Sequence, residues 1–316
     1  IVIALITFFG AIGNVIIIEI FLRLGISDGV NMSLVSLAVS DLFYLIPACI
    51  NSVSVMLQGV EELSSFKVWF PVDPDVVHVI SINTGAGFYA ISMLVTTFIT
   101  VVRCLAVVDP LKYRNLLSRT TTAIIISSFS IVSILFTILL LVYVGVSSEF
   151  DSNINTTRLV LWTSPKRALI KDIIFGIRDV FLPLTSQAIV GMCVIIMAIY
   201  LQKASTFRPN LLSDPQGKIK TLNKGSAPAK LVGKELQVVR QMLLIASVYS
   251  LCNMPKVVFN LTQLVLPEFY RGGRYSSMYS TLNIIRELIQ SVNASVTFFI
   301  YLKYNSRFRN HFVLHH

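Results

Sequence analysis

The run MSLVSLAVSDLFYLIPACINSVSVML, residues 32–57, holds one charged side chain, Asp41, and no other. That length matches a bilayer-crossing helix, which takes roughly 20 residues. Further apolar runs lie at 1–22, 76–107, 120–146, 170–201, 236–266 and 278–302. Of the 316 residues 13% are charged and 54% hydrophobic, with a mean hydropathy of +0.74. A soluble domain carries about 25% charge, so a water-soluble globule is excluded. Inside lipid only helices and closed barrels satisfy the backbone, and strand alternation is absent. The sequence therefore predicts an all-α bundle of seven transmembrane helices forming a single domain over 1–316. Its first residue, Ile1, already lies within an apolar run, so the chain is expected to be a fragment whose N-terminal tail is not seen.

An odd number of spans puts the two ends on opposite sides. One face, made of the loops after spans one, three and five plus the C-terminal tail, collects sixteen Lys and Arg against ten on the other. By the positive-inside rule that face is cytoplasmic, with the C-terminus inside, and the membrane is expected to be the plasma membrane. The net charge of +10 thus reads as topology and attraction to anionic lipid, and no nucleic-acid partner is expected. Segment 203–234, rich in Lys, Pro and Gly, reads as a mobile cytoplasmic loop. The sequon Asn155-Thr156-Thr157 falls in the second outer loop, where a glycan could attach. The cysteines Cys49, Cys104, Cys193 and Cys252 lie in or at the ends of apolar runs, so no loop disulfide framework is expected.

Polar residues inside spans are costly and point to function. Asp41, Asn14, Ser92 and Asn293 all sit near mid-span. Converging, they would form a pocket for a sodium ion or waters; the alternative is interhelical hydrogen bonding that only supports packing. Towards the outer side, Tyr89, Arg178, Asp179, Lys256, Asn260, Arg286 and Glu287 make a charge-mixed set suited to a ligand with its own charges. The alternative there is a closed set of salt bridges, Lys256 with Glu287 for example.

Arg103 ends span three in Val102-Arg103-Cys104-Leu105-Ala106-Val107-Val108-Asp109-Pro110-Leu111. Together with Gly13-Asn14, Leu37-Ala38-Val39-Ser40-Asp41, Pro183, Pro255 and Tyr301, in this order on seven spans, it resembles the rhodopsin-like family of G-protein-coupled receptors. The segment from Arg103 also looks like that of molluscan chemosensory and peptide receptors. The sequence departs from that family at Val102, where an acid is usual, and at His78, where a cysteine normally bonds to the second outer loop. It departs again at Asn253 in place of a tryptophan, and at Thr297-Phe298-Phe299-Ile300-Tyr301 in place of Asn-Pro-x-x-Tyr. Gly85 and Ser291 replace the residues that amine receptors and opsins need.

The resemblance implies an extracellular peptide or charged small molecule as ligand, possible sodium modulation, and a heterotrimeric G protein and arrestin as partners. It implies that Arg103, Pro110, Leu111 and Tyr301 form the coupling end. Pro255 would be the pivot of span six, and Glu235 lies where an acid could pair with Arg103. Tyr304, Phe308 and Phe312 suggest an amphipathic helix over 303–314 along the inner leaflet. The competing class is a seven-helix transporter or channel using the Asp41 cluster. No metal-ligand or nucleophile constellation appears, so no enzyme is expected.

Overall fold

The computed structural model describes residues 1–26, 29–108, 118–151, 155–206, 233–270 and 272–315, and every statement below concerns those residues. The long helices are α1 (Val2–Leu24), α2 (Gly29–Leu63), α3 (Pro74–Val108) and α4 (Arg119–Leu141). The two-stranded β1 (Val144–Asp151) and β2 (Thr156–Thr163) follow, then α5 (Arg167–Ile174), a π-helical segment Phe175–Phe181, and α6 (Leu182–Thr206). The chain ends with α7 (Gly233–Val265), α8 (Ser276–Tyr304) and α9 (Ser306–His315). Six helical stretches are long and apolar enough to cross a membrane, with α5 to α6 as one of them. Helix α8 is as long, but Arg286, Glu287 and Gln290 in its first half lower its hydropathy. Helix α3 has 67% of its apolar stretch buried, against 17% for α4, so α3 is the central post and α4 the rim. On α4, Ile124, Ile131 and Leu135 face outward, as lipid-facing side chains do.

The all-α expectation needs correcting. The run expected as a helix over 120–146 ends at Leu141, and Val144 begins a strand. The hairpin is antiparallel, with Val144 opposite Thr163 and Asp151 opposite Thr156. Its β-branched and aromatic residues suit a pleated surface. Arg158 of β2 reaches Asp151 (2.8 Å), Asp73 (3.2 Å) and Glu61 (3.3 Å). Leu159 exchanges backbone hydrogen bonds with Pro71 and Asp73. One guanidinium and a short backbone ladder thus fasten the hairpin to the ends of α2 and α3. All four cysteines are free, and His78 bonds Asn51 through Nδ1 at 2.7 Å.

At the opposite end, Phe21, Tyr301 and Phe308 pack together, with ring centroids 5.4 to 6.0 Å apart. The amphipathic helix expected over 303–314 is corrected here. Tyr304 belongs to α8, and Asn305 Oδ1 accepts from Phe308 N–H at 3.0 Å as the new helix starts. Phe308 is fully buried, spending its ring on α1 and α8 rather than on lipid.

Candidate functional site

Helices α2 and α3 run antiparallel, which stacks their polar residues in layers. Tyr44 and Tyr89 meet edge to face with centroids 5.2 Å apart. One turn towards the hairpin, Gly85 on α3 leaves space against Pro47 and Tyr44. A cavity opens above the two rings, lined by Tyr44, Asn51, Tyr89, Asp179, Lys256, Arg286 and Glu287 among others. The volume open to water centres is about 50 Å³. One water needs roughly 10–15 Å³ by that measure, so a few waters or a small ligand fit and a peptide chain does not.

Asp179 reaches this cavity because the helix changes pitch. Pro183 has no N–H to give the carbonyl four residues back, that of Asp179. The chain passes through the π-helical segment before it, and Leu182 N–H bonds Ile177 O instead. Asn260 Nδ2 donates to the free Asp179 carbonyl. The consecutive residues Arg178 and Asp179 both turn inward, and Arg178 bonds the Asp179 carboxylate through Nη2 (2.8 Å) and Nε (3.2 Å). Such wide turns recur at functional sites. Arg178 and Asn260 therefore stand behind Asp179 rather than lining the cavity.

Lys256 Nζ lies 3.8 Å from Asp179 Oδ1 and 4.6 Å from the Tyr89 ring centroid. The expected pair of Lys256 with Glu287 is not made. Glu287 instead accepts from Asn51 (3.1 Å) and Asn283 (3.0 Å), with Arg286 at 3.8 Å. Arg286 sits over the Phe259 ring at 4.9 Å and donates to Asn283 Oδ1 at 2.6 Å. Asn51, Asn283 and Tyr44 were not singled out from the sequence. Asn283 lies one turn before Glu287 on α8, the helical spacing that would have marked it.

A second, smaller chamber lies one turn deeper. Ser92 Oγ donates to Asp41 Oδ1 at 2.5 Å, and Asp41, Ser92, Thr96, Tyr249, Asn293 and Thr297 line it with apolar neighbours. Its volume open to water centres, about 10 Å³, suits one water or one ion. Asn14 was expected in this set and is not among its lining. Its amide is committed to the carbonyls of Gly10 (3.0 Å) and Ala294 (2.9 Å), which ties α1 to α8.

Towards the far end, hydroxyls join three helices. Thr97 on α3 bonds Ser186 on α6 (2.6 Å), and Ser186 bonds Tyr249 on α7 (2.9 Å). Gln187 donates to Ser250 Oγ at 2.6 Å and accepts from Asn253 at 3.3 Å. All three α7 residues precede Pro255, inside a helix that continues through it. Their spacing of 249, 250 and 253 puts them on one face, a signal the sequence carried. Arg103 is buried beside the buried Val102, and Tyr301 is enclosed by Phe21 and Phe308. Pro110 and Leu111 lie outside the described residues, and so does the side chain of Glu235.

A comparison with curated proteins found no match. The model of one family, described as serpentine type 7TM GPCR chemoreceptor Srx, matches residues 4–209. The matched stretch runs from α1 through α6 and includes Asp41, Tyr89, Arg103 and Asp179, while Lys256 and Arg286 lie beyond it. It narrows the likeness drawn from the sequence: the receptor type is serpentine chemoreceptor, and rhodopsin-like or molluscan character is not specifically supported. It also sets enzymes aside, since this is a family of receptors. Spanning well over half of the sequence, the match shows that the chain belongs to the serpentine seven-transmembrane G-protein-coupled chemoreceptor family Srx, a family of multi-pass membrane proteins.

Proposed function

We propose that this chain is a chemoreceptor that binds a small charged molecule at the hairpin end, facing outside, and activates a heterotrimeric G protein at the Arg103 end, facing the cytoplasm. In this reading α8 is the seventh crossing, despite its polar first half. The observation that carries it is the cavity. Five charged side chains from the π-helical segment, α7 and α8 gather around it or directly behind it at one end of the bundle, Arg178 and Lys256 buried and Asp179, Arg286 and Glu287 largely so. Buried charges are costly unless they compensate one another or meet a ligand, and their gathering at an accessible hollow marks a binding site. The cavity's size favours a small molecule over the peptide that the sequence also allowed.

Signal transfer then depends on α7. Ligand drawn to Lys256 acts next to Pro255, and a chain of two hydrogen-bonded sets, Thr97–Ser186–Tyr249 and Ser250–Gln187–Asn253, holds the far half of α7 against α3 and α6. Loosening that chain would let the far end swing out and expose Arg103, a population shift driven by the ligand's preference for one arrangement. The Asp41 chamber, fit for one ion, supports a sodium ion that stabilises one of the two arrangements. The transporter or channel reading gains no support from these cavities. The Tyr44–Tyr89 pair stands between them, and a chamber for one water is not a path.

The test is G-protein signalling of the full-length protein in cells, wild type beside Arg103→Ala, at matched surface levels. Output that Arg103→Ala abolishes is the expected result. Output well above that of untransfected cells in both would sink the role given to Arg103.

A further inference from the structure

We infer that the ligand of this cavity is a small monoanion, a carboxylate above all, and that its anionic group sits between Lys256 Nζ and Tyr89 Oη. This deepens the proposed receptor function and rests on it for the choice of site.

The argument begins with which charges are already satisfied. Glu287 has both carboxylate oxygens filled, and Asp179 has one. Asp179 Oδ2 accepts from two Arg178 nitrogens, while Oδ1 has Lys256 Nζ in front of it at 3.8 Å. Glu287 accepts from two amides, one on each oxygen, with Arg286 close by. Glu287 is not left for a ligand amine, and at the open oxygen of Asp179 a ligand amine would meet the Lys256 ammonium. The cations are the opposite. Lys256 Nζ makes no hydrogen bond among the described residues, since its contact with Asp179 at 3.8 Å is too long for one and its other neighbour is a ring face. Arg178 Nη1 and Arg286 Nε are buried donors without acceptors. Tyr89 Oη has the Gln290 side chain near it but makes no well-formed hydrogen bond among the described residues.

Lys256 and Tyr89 are each 2% exposed, and both line the cavity. Two donors nine-tenths buried and turned into one hollow call for an acceptor. The count of charges says which acceptor: three cations against two anions leave one positive charge, which a monoanion cancels and a zwitterion does not. An ammonium has three N–H groups and no acceptor, and a carboxylate bonded to it and to a phenol would complete both. Part of the remaining wall, Ile3, Ala48, Ile82 and Ala86, is apolar and suits a short hydrocarbon body, beside the polar Ser81, Gln290 and Ser291.

The experiment uses the full chain in phosphatidylcholine nanodiscs, followed by thermal unfolding at constant ionic strength. The probes are sodium butyrate, hexanoate and benzoate, beside the matching amides and amines. Carboxylates are expected to raise the unfolding temperature while amides and amines do not. Lys256→Gln should weaken the carboxylate effect by about 30-fold or more, the lower end for removing one member of a buried charge pair. Tyr89→Phe, which keeps the ring, should weaken it by about tenfold. Lys256→Arg should keep most of it.

A further arm needs no ligand. If Lys256 is an undercompensated charge kept for binding, Lys256→Met stabilises the ligand-free protein; if it is a structural partner of Asp179, the same change destabilises it. Four results would each overturn the inference: amines or amides that stabilise as well as acids, a carboxylate effect unchanged in Lys256→Gln, a flat series across all probes, or a destabilised Lys256→Met. A protein that binds carboxylates through Lys256 yet gives no Arg103-dependent signal would sink the coupling proposal and leave this inference standing. Arg103-dependent signalling with amine selectivity would do the reverse.

Discussion

The cavity at Lys256 and the chamber at Asp41 lie one helical turn apart and are built on opposite plans. The first gathers three cations and two anions from adjoining elements, with Glu287 bonded on both oxygens and Asp179 held by Arg178 on one. The second holds one carboxylate, bonded only to Ser92 among the described residues, with hydroxyls, an amide and aliphatic groups as its other walls. Several buried charges are tolerated where they compensate one another, and their small surplus sets the sign of what binds. A single buried carboxylate has no such partner, so it is kept at a cost that a cation would remove. The lesson is that a lone charge and a charge cluster make different demands on a ligand: the chamber asks for a cation and the cavity for an anion.

That contrast can be broken or sharpened by substitution. The largest effect is expected where compensation is most complete, at the hairpin. Arg158→Ala leaves Glu61, Asp73 and Asp151 facing one another, and a loss of about 3 kcal/mol in unfolding stability is expected. A loss below about 1 kcal/mol would mean that water, not Arg158, screens those acids. The chamber should respond with the opposite sign. Asp41→Asn keeps the shape and the bond to Ser92 but removes the lone charge, so sodium-free protein should gain about 1–2 kcal/mol. The same variant should lose any sodium dependence of its unfolding temperature, and a dependence that survives would place the ion elsewhere.

The smallest expected effect lies on the hydroxyl chain below the chamber. Tyr249→Phe removes the bond to Ser186, worth about 1 kcal/mol, and should raise basal signalling about fivefold if that bond favours the closed arrangement. Unchanged basal output at equal surface expression would mean that the chain only packs the helices.

Much of the architecture was legible because apolar length is a property of consecutive residues. The runs at 32–57 and 76–107 fall within α2 and α3, and those at 1–22, 236–266 and 278–302 correspond closely to α1, α7 and α8. The hairpin was hidden because Val144, Gly145 and Val146 are apolar enough to read as the end of span four. Asp41 with Ser92 was legible as two mid-span polar residues, and Asn14 was drawn into the same set by depth alone. Depth does not give rotation about the helix axis, and Asn14 turns towards α8 instead.

The residues of the cavity were similarly named without their partners. Lys256, Asp179, Arg286 and Glu287 stood out as charges within apolar runs. Their pairing depended on a π-helical segment whose one trace in the sequence is Pro183, the residue that cannot bond the Asp179 carbonyl. Composition and spacing thus determined that the chain lives in a membrane, where its helices lie and which side chains are too costly to be accidental, because the cost of placing each group in lipid is local. Which acid meets which base, and the surplus cation that results, only the tertiary structure decided, because those contacts join residues far apart in the chain, Asp179 with Lys256 and Asn51 with Glu287.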